Sequence, residues 1–210
     1  MSDPLGETSL RRVVLLRHGR TAWNLAGRAQ GQTDVPLDEV GHAQAAAAAV
    51  AVAALEPDVL VTSDLVRAAG TAAYLEKATG LTARHDPRLR EIHWGVREGS
   101  TLEEFRAAAP EAYAAWEGSG RLARIPGGES EDEVAARVRA AVRESVDALG
   151  AGETLVLVSH GAALKAAVAT LLGWDDAGPL RLRATGNCTW SQVDVRPDGS
   201  GVLAAYNVPT

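Results

Sequence analysis

Val13-Val14-Leu15-Leu16-Arg17-His18-Gly19-Arg20-Thr21-Ala22-Trp23-Asn24 is the stretch whose reading decides the fold. Four branched aliphatics in a row read as a strand buried on both faces, and the run stops abruptly at Arg17-His18-Gly19. In an open α/β sheet, ligands bind beyond the carboxyl ends of the strands. A histidine at such an end can be a nucleophile, a base, a metal ligand or a packed structural side chain. The adjacent arginine narrows the ligand towards phosphate or carboxylate, which a guanidinium grips through paired hydrogen bonds. Gly19 permits a sharp exit that brings backbone N–H groups near a ligand. Thr21 is suited to cap a short helical turn holding Trp23 and Asn24.

Working outward, the polar stretch from Ala26 to Pro36 reads as a loop over that strand end. A helix of alanine and valine is expected over His42–Leu55, ended by Pro57, where small side chains allow close packing on a sheet. Val59-Leu60-Val61-Thr62 is a second strand, with Ser63 or Asp64 capping the helix that runs to Gly80. That spacing puts Arg67 one turn inside the helix, near its positive end. Leu81–Arg84 predicts a short third strand. Thr101–Glu117 reads as two short helices broken at Pro110, in a lid spanning about residues 96–128. Ser130-Glu131-Asp132-Glu133 has capping-box spacing, and Val134, Val138, Ala141, Val142, Ser145 and Leu149 follow as one apolar stripe. Thr154–Val158 is another buried strand, and Cys188–Val195 and Gly201–Tyr206 pair across the Pro197-Asp198-Gly199 turn.

One internal echo stands out. Leu157-Val158-Ser159-His160-Gly161 repeats the pattern of Leu15-Leu16-Arg17-His18-Gly19: apolar strand, one polar residue, histidine, glycine, then helix. If the two strands are neighbours, both histidines face one crevice.

The chain's 210 residues suit one α/β domain, residues 1–210, and strand–helix alternation predicts a three-layer α/β/α sandwich around a mostly parallel sheet. A net charge of −6 argues against a nucleic-acid binder without excluding a local cationic pocket. Cys188 is the only cysteine, so neither an internal disulfide nor a cysteine zinc cluster is expected. The charged first twelve residues do not resemble a secretory signal, and no apolar run is long enough to span a membrane. A cytoplasmic protein is the expectation, with no membrane partner. An apolar strand near the C-terminus could pair two copies in a homodimer.

His18, His160, Arg17 and Arg67 in one crevice suit a tetrahedral dianion. A neutral imidazole can attack phosphorus and divide one hard step into two. The second histidine, if protonated, would stabilise charge on the equatorial oxygens. The leaving alkoxide needs a proton, for which Glu91, beside Ile92 and Trp94, is the candidate general acid and later the base that activates water.

At this point the residues resemble a family. Leu16-Arg17-His18-Gly19-Arg20-Thr21-Ala22-Trp23-Asn24 is similar to the signature of the histidine phosphatase superfamily, also called the phosphoglycerate mutase-like family. Further blocks match in the family's order: Thr62–Ala68, Leu89–Gly95, Pro126–Ser130 and Val158–Gly161. The resemblance implies a phosphoglycerate mutase-like fold and a phosphohistidine on His18. Arg17, Arg67 and His160 become the phosphate pocket and Glu91 the proton donor. Asn24 matches a residue that touches phosphate, Gln30 and Gly31 a substrate-side loop, and the Gly161 N–H a further donor. Thr21 and Trp94 complete the candidate substrate-binding set. No metal or other cofactor is implied. Two departures, Arg20 after His-Gly and Arg97 before Glu98-Gly99, bear on substrate choice.

The expected activity is that of a phosphomonoesterase acting on a small phosphorylated metabolite. The alternative is a cofactor-dependent phosphoglycerate mutase; a non-catalytic phosphate-binding protein is the third reading. Mutases of the family carry a longer insertion with an adjacent arginine pair for the substrate carboxylate. Here the lid holds only isolated Arg106, Arg121 and Arg124, and a short lid that admits water favours hydrolysis. Arg28–Gln32 and Gly186–Trp190 are similar to segments of bacterial sugar-phosphoglycerate phosphatases. His42, His85 and His93 read as solvated or packing histidines, Glu129 as a helix start before a pocket wall, and Cys188 as a small buried side chain.

Overall fold

A computed structural model describes residues 9–119, 123–174 and 182–210. The polar leader, up to residue 8, and Arg121 lie outside the described residues. Six strands, β1 (Arg11–Arg17), β2 (Val59–Thr62), β3 (Arg84–His85), β4 (Thr154–Ser159), β5 (Trp190–Val195) and β6 (Gly201–Val208), form one sheet in the order β3-β2-β4-β1-β5-β6. The first four run parallel, and β5 and β6 add an antiparallel edge. The described helices are α1 (Ala22–Leu25), α2 (Glu39–Ala53), α3 (Val66–Thr79), α4 (Leu102–Ala108), α5 (Pro110–Gly118), α6 (Glu131–Asp147) and α7 (Gly161–Leu171).

Strand periodicity sorts the core into two layers. Val13, Leu15, Val61, Leu155 and Leu157 point to α6 and α7. Their neighbours Val14, Leu16, Leu60, Val156 and Val158 point to α2 and α3. Each fully buried aliphatic is worth roughly 1.5–3 kcal/mol, so these continuous apolar runs commit the strands to the centre of the sandwich. On α2, buried Ala45, Ala48 and Ala49 keep the helix close to the sheet. The apolar stripe of α6 is buried as its spacing predicts, behind the Ser130/Glu133 capping box.

β1 and β4 are paired residue for residue, from Arg12 opposite Thr154 to Arg17 opposite Ser159. The echo in the sequence is therefore a spatial one, and His18 and His160 leave adjacent strands at the same level.

Three local expectations change. α2 starts three residues early because the Asp38 carboxylate caps it, accepting from the Gly41 N–H at 2.7 Å. β3 comprises Arg84–His85 rather than Leu81–Arg84. Neither Ser63 nor Asp64 caps α3, whose N-cap is Leu65 with no side-chain hydrogen bond. Ser63 Oγ is engaged by His160 and the Asp64 carboxylate by Arg90, so Asp34 reaches in from the 26–36 loop and accepts from the Val66 N–H at 2.6 Å.

The exit after β1 lies directly on the first turn of α2. A Cβ on Gly19 would come within 2.5 Å of the Gly41 carbonyl oxygen, and one on Gly41 within 2.0 Å of the Arg20 carbonyl oxygen. Close backbone approach, rather than a left-handed turn, is what demands glycine at Gly19.

The lid has its own small core of Phe105, Tyr113, Trp116 and Ile125, with Trp94 packed against it. α4 and α5 meet at Ala109-Pro110, as expected, and α4 opens with a Thr101/Glu104 capping box.

Candidate active site

The two imidazoles stand at the carboxyl ends of β1 and β4 with ring centroids 5.1 Å apart, 2 % and 0 % exposed. His18 Nδ1 lies 2.7 Å from the Gly19 carbonyl oxygen, an acceptor, which assigns the proton to Nδ1 and leaves the Nε2 lone pair for attack. His160 Nε2 is 2.8 Å from Ser63 Oγ, while its Nδ1 is buried with no hydrogen-bond partner among the described residues. Ser63 can donate to Nε2, which makes Nδ1 a free donor.

Arg67 is fully buried on α3 and gives Nη1 to the Thr33 carbonyl at 2.9 Å and Nη2 to the Gly31 carbonyl at 2.7 Å. Arg17 donates Nη1 to the Thr185 carbonyl. The Nε atoms of both arginines are buried and unpartnered among the described residues. Buried donors almost always find acceptors, so these two with His160 Nδ1 mark a pocket built for an oxyanion.

Electrostatics set the protonation states. Burial first, then the Arg17 and Arg67 charges, hold the His18 imidazole well below the ordinary histidine range; the Gly19 hydrogen bond opposes this weakly. His160 is held down likewise by burial, Arg67, His18 and Arg17. The protonated form that the sequence left open for the second histidine is therefore disfavoured, and His160 acts as a neutral N–H donor. Burial lowers Arg17 as well and brings Arg67 to about 10.

These shifts predict a pH dependence of stability. The folded-state values of both histidines lie below the unfolded value of about 6.5, so as pH falls the unfolded chain takes up protons first. Their contribution is present in full above about pH 6.5 and is lost as pH falls through the folded values. The slope approaches about 1.4 kcal/mol per pH unit per histidine. The melting temperature should fall between about pH 7 and pH 5.5, less steeply in His160→Ala; a flat profile in the wild type would contradict the buried, neutral pair.

Glu91 is brought to the same end of β4. Its Oε1 accepts from the Ala162 and Ala163 N–H groups at 3.0 and 3.3 Å, and from its neighbour Ile92. The carboxyl thus sits over the first turn of α7, which Gly161 opens, and a Cβ on Gly161 would be 3.5 Å from Oε2.

Five other residues expected to contact substrate, Thr21, Gln30, Asn24, Gly31 and Trp94, also make contacts within the scaffold. Thr21 Oγ1 donates to Gln30 Oε1 at 2.9 Å and accepts from the Asn24 N–H. Asn24 Oδ1 closes that capping box on the Thr21 N–H and accepts from Asn187 Nδ2, which also donates to the His18 carbonyl. Gly31 supports Arg67 with its carbonyl, at φ +55°, where a Cβ would strike Glu98. Trp94 belongs to the lid, meeting Trp116 edge-on at 6.3 Å, with the Arg97 guanidinium 4.8 and 4.6 Å from the two ring centroids.

Sequence reasoning assigns no role to Glu98 or Arg137. Glu98 accepts from the Gln32, Thr33 and Trp94 N–H groups and the Thr33 hydroxyl, and so fixes the loop whose carbonyls hold Arg67. Arg137 binds Glu129, which is an ion-pair partner rather than the helix cap, since Ser130 caps α6. The signal for Arg137 was an arginine at the edge of the α6 apolar stripe, between Val134 and Val138. Glu98, in a loop, carried no periodic signal. Burial pushes the Cys188 thiol up to about 12, so it offers no second nucleophile.

Among the described residues no group of three or more His, Cys, Asp or Glu side chains could hold a metal ion, and no helix is long and apolar enough to cross a membrane.

Residues 13–208 match the family described as the histidine phosphatase superfamily (branch 1). Glucosyl-3-phosphoglycerate phosphatase of Mycobacterium tuberculosis is 43% identical over 190 residues, covering 87% of this chain and 85% of that protein. A probable phosphoglycerate mutase GpmB of Yersinia pestis is 41% identical over 182 residues, covering 87% and 84%. The solved structure of a mycobacterial glucosyl-3-phosphoglycerate phosphatase in complex with VO3 superposes with a TM-score of 0.86 at 40% identity, covering 94% of this chain and 99% of that one. On sequence and fold alike, the chain belongs to the histidine phosphatase superfamily.

Proposed function

We propose that the chain hydrolyses a small phosphorylated metabolite of the sugar-phosphoglycerate type through a phosphohistidine on His18. Its relatives make it a phosphoric monoester hydrolase of this superfamily. The observation that carries the residue assignment is the pair of buried neutral imidazoles flanked by unpartnered Arg17 and Arg67 donors. His18 Nε2 forms the bond to phosphorus as the ester P–O bond breaks, and the departing oxygen takes a proton from the Glu91 carboxyl. The Glu91 carboxylate then takes a proton from water, whose oxygen attacks phosphorus and frees His18. Arg17, Arg67 and His160 Nδ1 bind the phosphoryl oxygens, with the Gly161 N–H as a further donor. All of these are oxyanion donors, so the reading needs no metal. The proposal treats the chain as a cytoplasmic enzyme of one domain with a lid over about residues 96–128.

The lid favours hydrolysis over mutase chemistry. Arg106 stacks on Tyr113, Arg124 pairs with Glu133 and Arg97 lies over Trp94 and Trp116. None of these three forms an adjacent pair that would clamp a substrate carboxylate. The test measures phosphate release from glucosyl-3-phosphoglycerate against bisphosphoglycerate-primed isomerisation of 3-phosphoglycerate. Release without isomerisation supports the proposal; isomerisation outpacing release overturns it.

A further inference from the structure

We propose that Arg137, aligned by Glu129, is a positioning residue that holds Glu91 in place for proton transfer. The inference rests on the reading of Glu91 as the proton donor. Arg137 projects from α6 and is largely buried, and its guanidinium is fully used. Nη1 donates to the carbonyls of Arg88 and Arg90 at 2.9 and 2.6 Å, and Nη2 to the carbonyl of Glu91 itself at 2.9 Å. Nε and Nη2 form a two-pronged pair with Glu129, both at 2.8 Å. Glu129 Oε2 in turn accepts from the His93 N–H at 2.9 Å, so the backbone is gripped on both sides of Glu91. Gln32 Nε2 bridges the Glu91 carbonyl and Glu129 at 3.3 Å each.

Residues 88–93 contain only the short helical turn Pro87–Leu89, and no strand ladder fixes them. Ser159 Oγ on the Leu89 carbonyl and the Glu129 N–H on the His93 carbonyl anchor the ends of this segment, and the Arg137–Glu129 pair grips its backbone at Glu91 itself. Burial pushes the Glu129 carboxyl up, but the hydrogen bonds from Arg137 and His93 outweigh it and keep the group below its usual range. The pair therefore stays ionised near neutral pH. A planar guanidinium can reach three carbonyls and a carboxylate at once; an ammonium cannot.

Leaving-group dependence separates positioning from simple structural support. A 2,4-dinitrophenolate departs without a proton, whereas the alkoxide from glycerol 2-phosphate needs one, and kcat/KM reports the step that forms the phosphoenzyme. The ratio of the two kcat/KM values is unaffected by the fraction of enzyme that is folded. Glu91→Gln should lower the alkyl substrate by about a hundredfold or more while sparing the aryl one. Arg137→Lys and Glu129→Gln should each cut the alkyl value about tenfold more than the aryl value. Adding Arg137→Lys to Glu91→Gln should leave the ratio unchanged. Equal losses on both substrates in Arg137→Lys and Glu129→Gln, with Glu91→Gln still selective, would overturn the positioning role and leave Glu91 as the donor. An unselective Glu91→Gln would overturn both.

Discussion

His18→Ala is expected to lower turnover of p-nitrophenyl phosphate by at least about four orders of magnitude while the protein stays folded. The size of the loss follows from what the side chain supplies. In the proposed mechanism it is the nucleophile, so its removal abolishes the covalent route rather than weakening one contact along it. The same proposal predicts which ring nitrogen takes the phosphoryl group. His18 Nδ1 is held on the Gly19 carbonyl at 2.7 Å, so the new bond must form at Nε2. His160 has the reverse arrangement, with Nε2 on Ser63 and Nδ1 open, which suits donation to an oxygen. His160→Ala should therefore cost less, about a hundred- to a thousandfold, the loss typical of one oxyanion donor. Phosphorus NMR of the phosphoenzyme denatured in alkali, where a phosphohistidine P–N bond survives, distinguishes the two ring nitrogens, and peptide mapping at alkaline pH distinguishes the two histidines. A phosphoenzyme on His160, or substantial turnover by His18→Ala, would refute the assignment.

What could be read from the sequence was whatever local pattern dictates. Apolar runs announced β1, β2 and β4, because three or four consecutive branched aliphatics bounded by turn residues suit a strand buried on both faces. The repeated strand-histidine-glycine pattern pointed to adjacent strands, which the pairing of Arg17 with Ser159 bears out. Side chains whose role depends on distant backbone could not be read in the same way. Ser63 and Asp64 have ideal cap chemistry for α3, yet His160, 97 residues on, and Arg90, 26 residues on, take them instead. Glu98 and Arg137 act on carbonyls and amides that no sequence spacing brings together. Thr21 and Asn24, expected to touch substrate, also hold the loop that follows His18 through the Thr21 hydroxyl and the Asn24 Oδ1, contacts that the sequence did not announce. Core positions are chosen by periodicity and sites by tertiary contact, so local patterns reveal the first far better than the second.

Arg67 links those two levels, and its replacement by lysine and by methionine should fail in different ways. Arg67→Lys keeps a cation near both histidines but loses the fork that spans the Gly31 and Thr33 carbonyls and presents Nε to the ligand. Its kcat/KM should fall about a hundred- to a thousandfold, equivalent to roughly 2.7–4 kcal/mol of transition-state stabilisation, with an unchanged pH profile. Arg67→Met loses the donor and the charge together. The Arg67 charge is among the causes that lower both imidazoles, so its removal lets both titrate at higher pH. A larger share of His18 is then protonated and cannot attack. The acid limb of the kcat/KM profile should therefore move to higher pH in Arg67→Met and stay in place in Arg67→Lys. Vanadate should raise the melting temperature of the wild type by more than that of either variant, because the stabilisation follows ligand affinity. The same acid limb in both variants would mean that Arg67 acts on the histidines only through the shape of the pocket. Wild-type kcat/KM in Arg67→Lys would mean that its fork is not part of the phosphate site. The wild-type residue itself is held at about 10 by burial, against the pull of Glu91, Asp34 and Glu98. A dianion binding beside that buried guanidinium adds negative charge to that of Glu91, Asp34 and Glu98 and offsets the cost of burying the cation, so affinity for the dianion should fall in Arg67→Met.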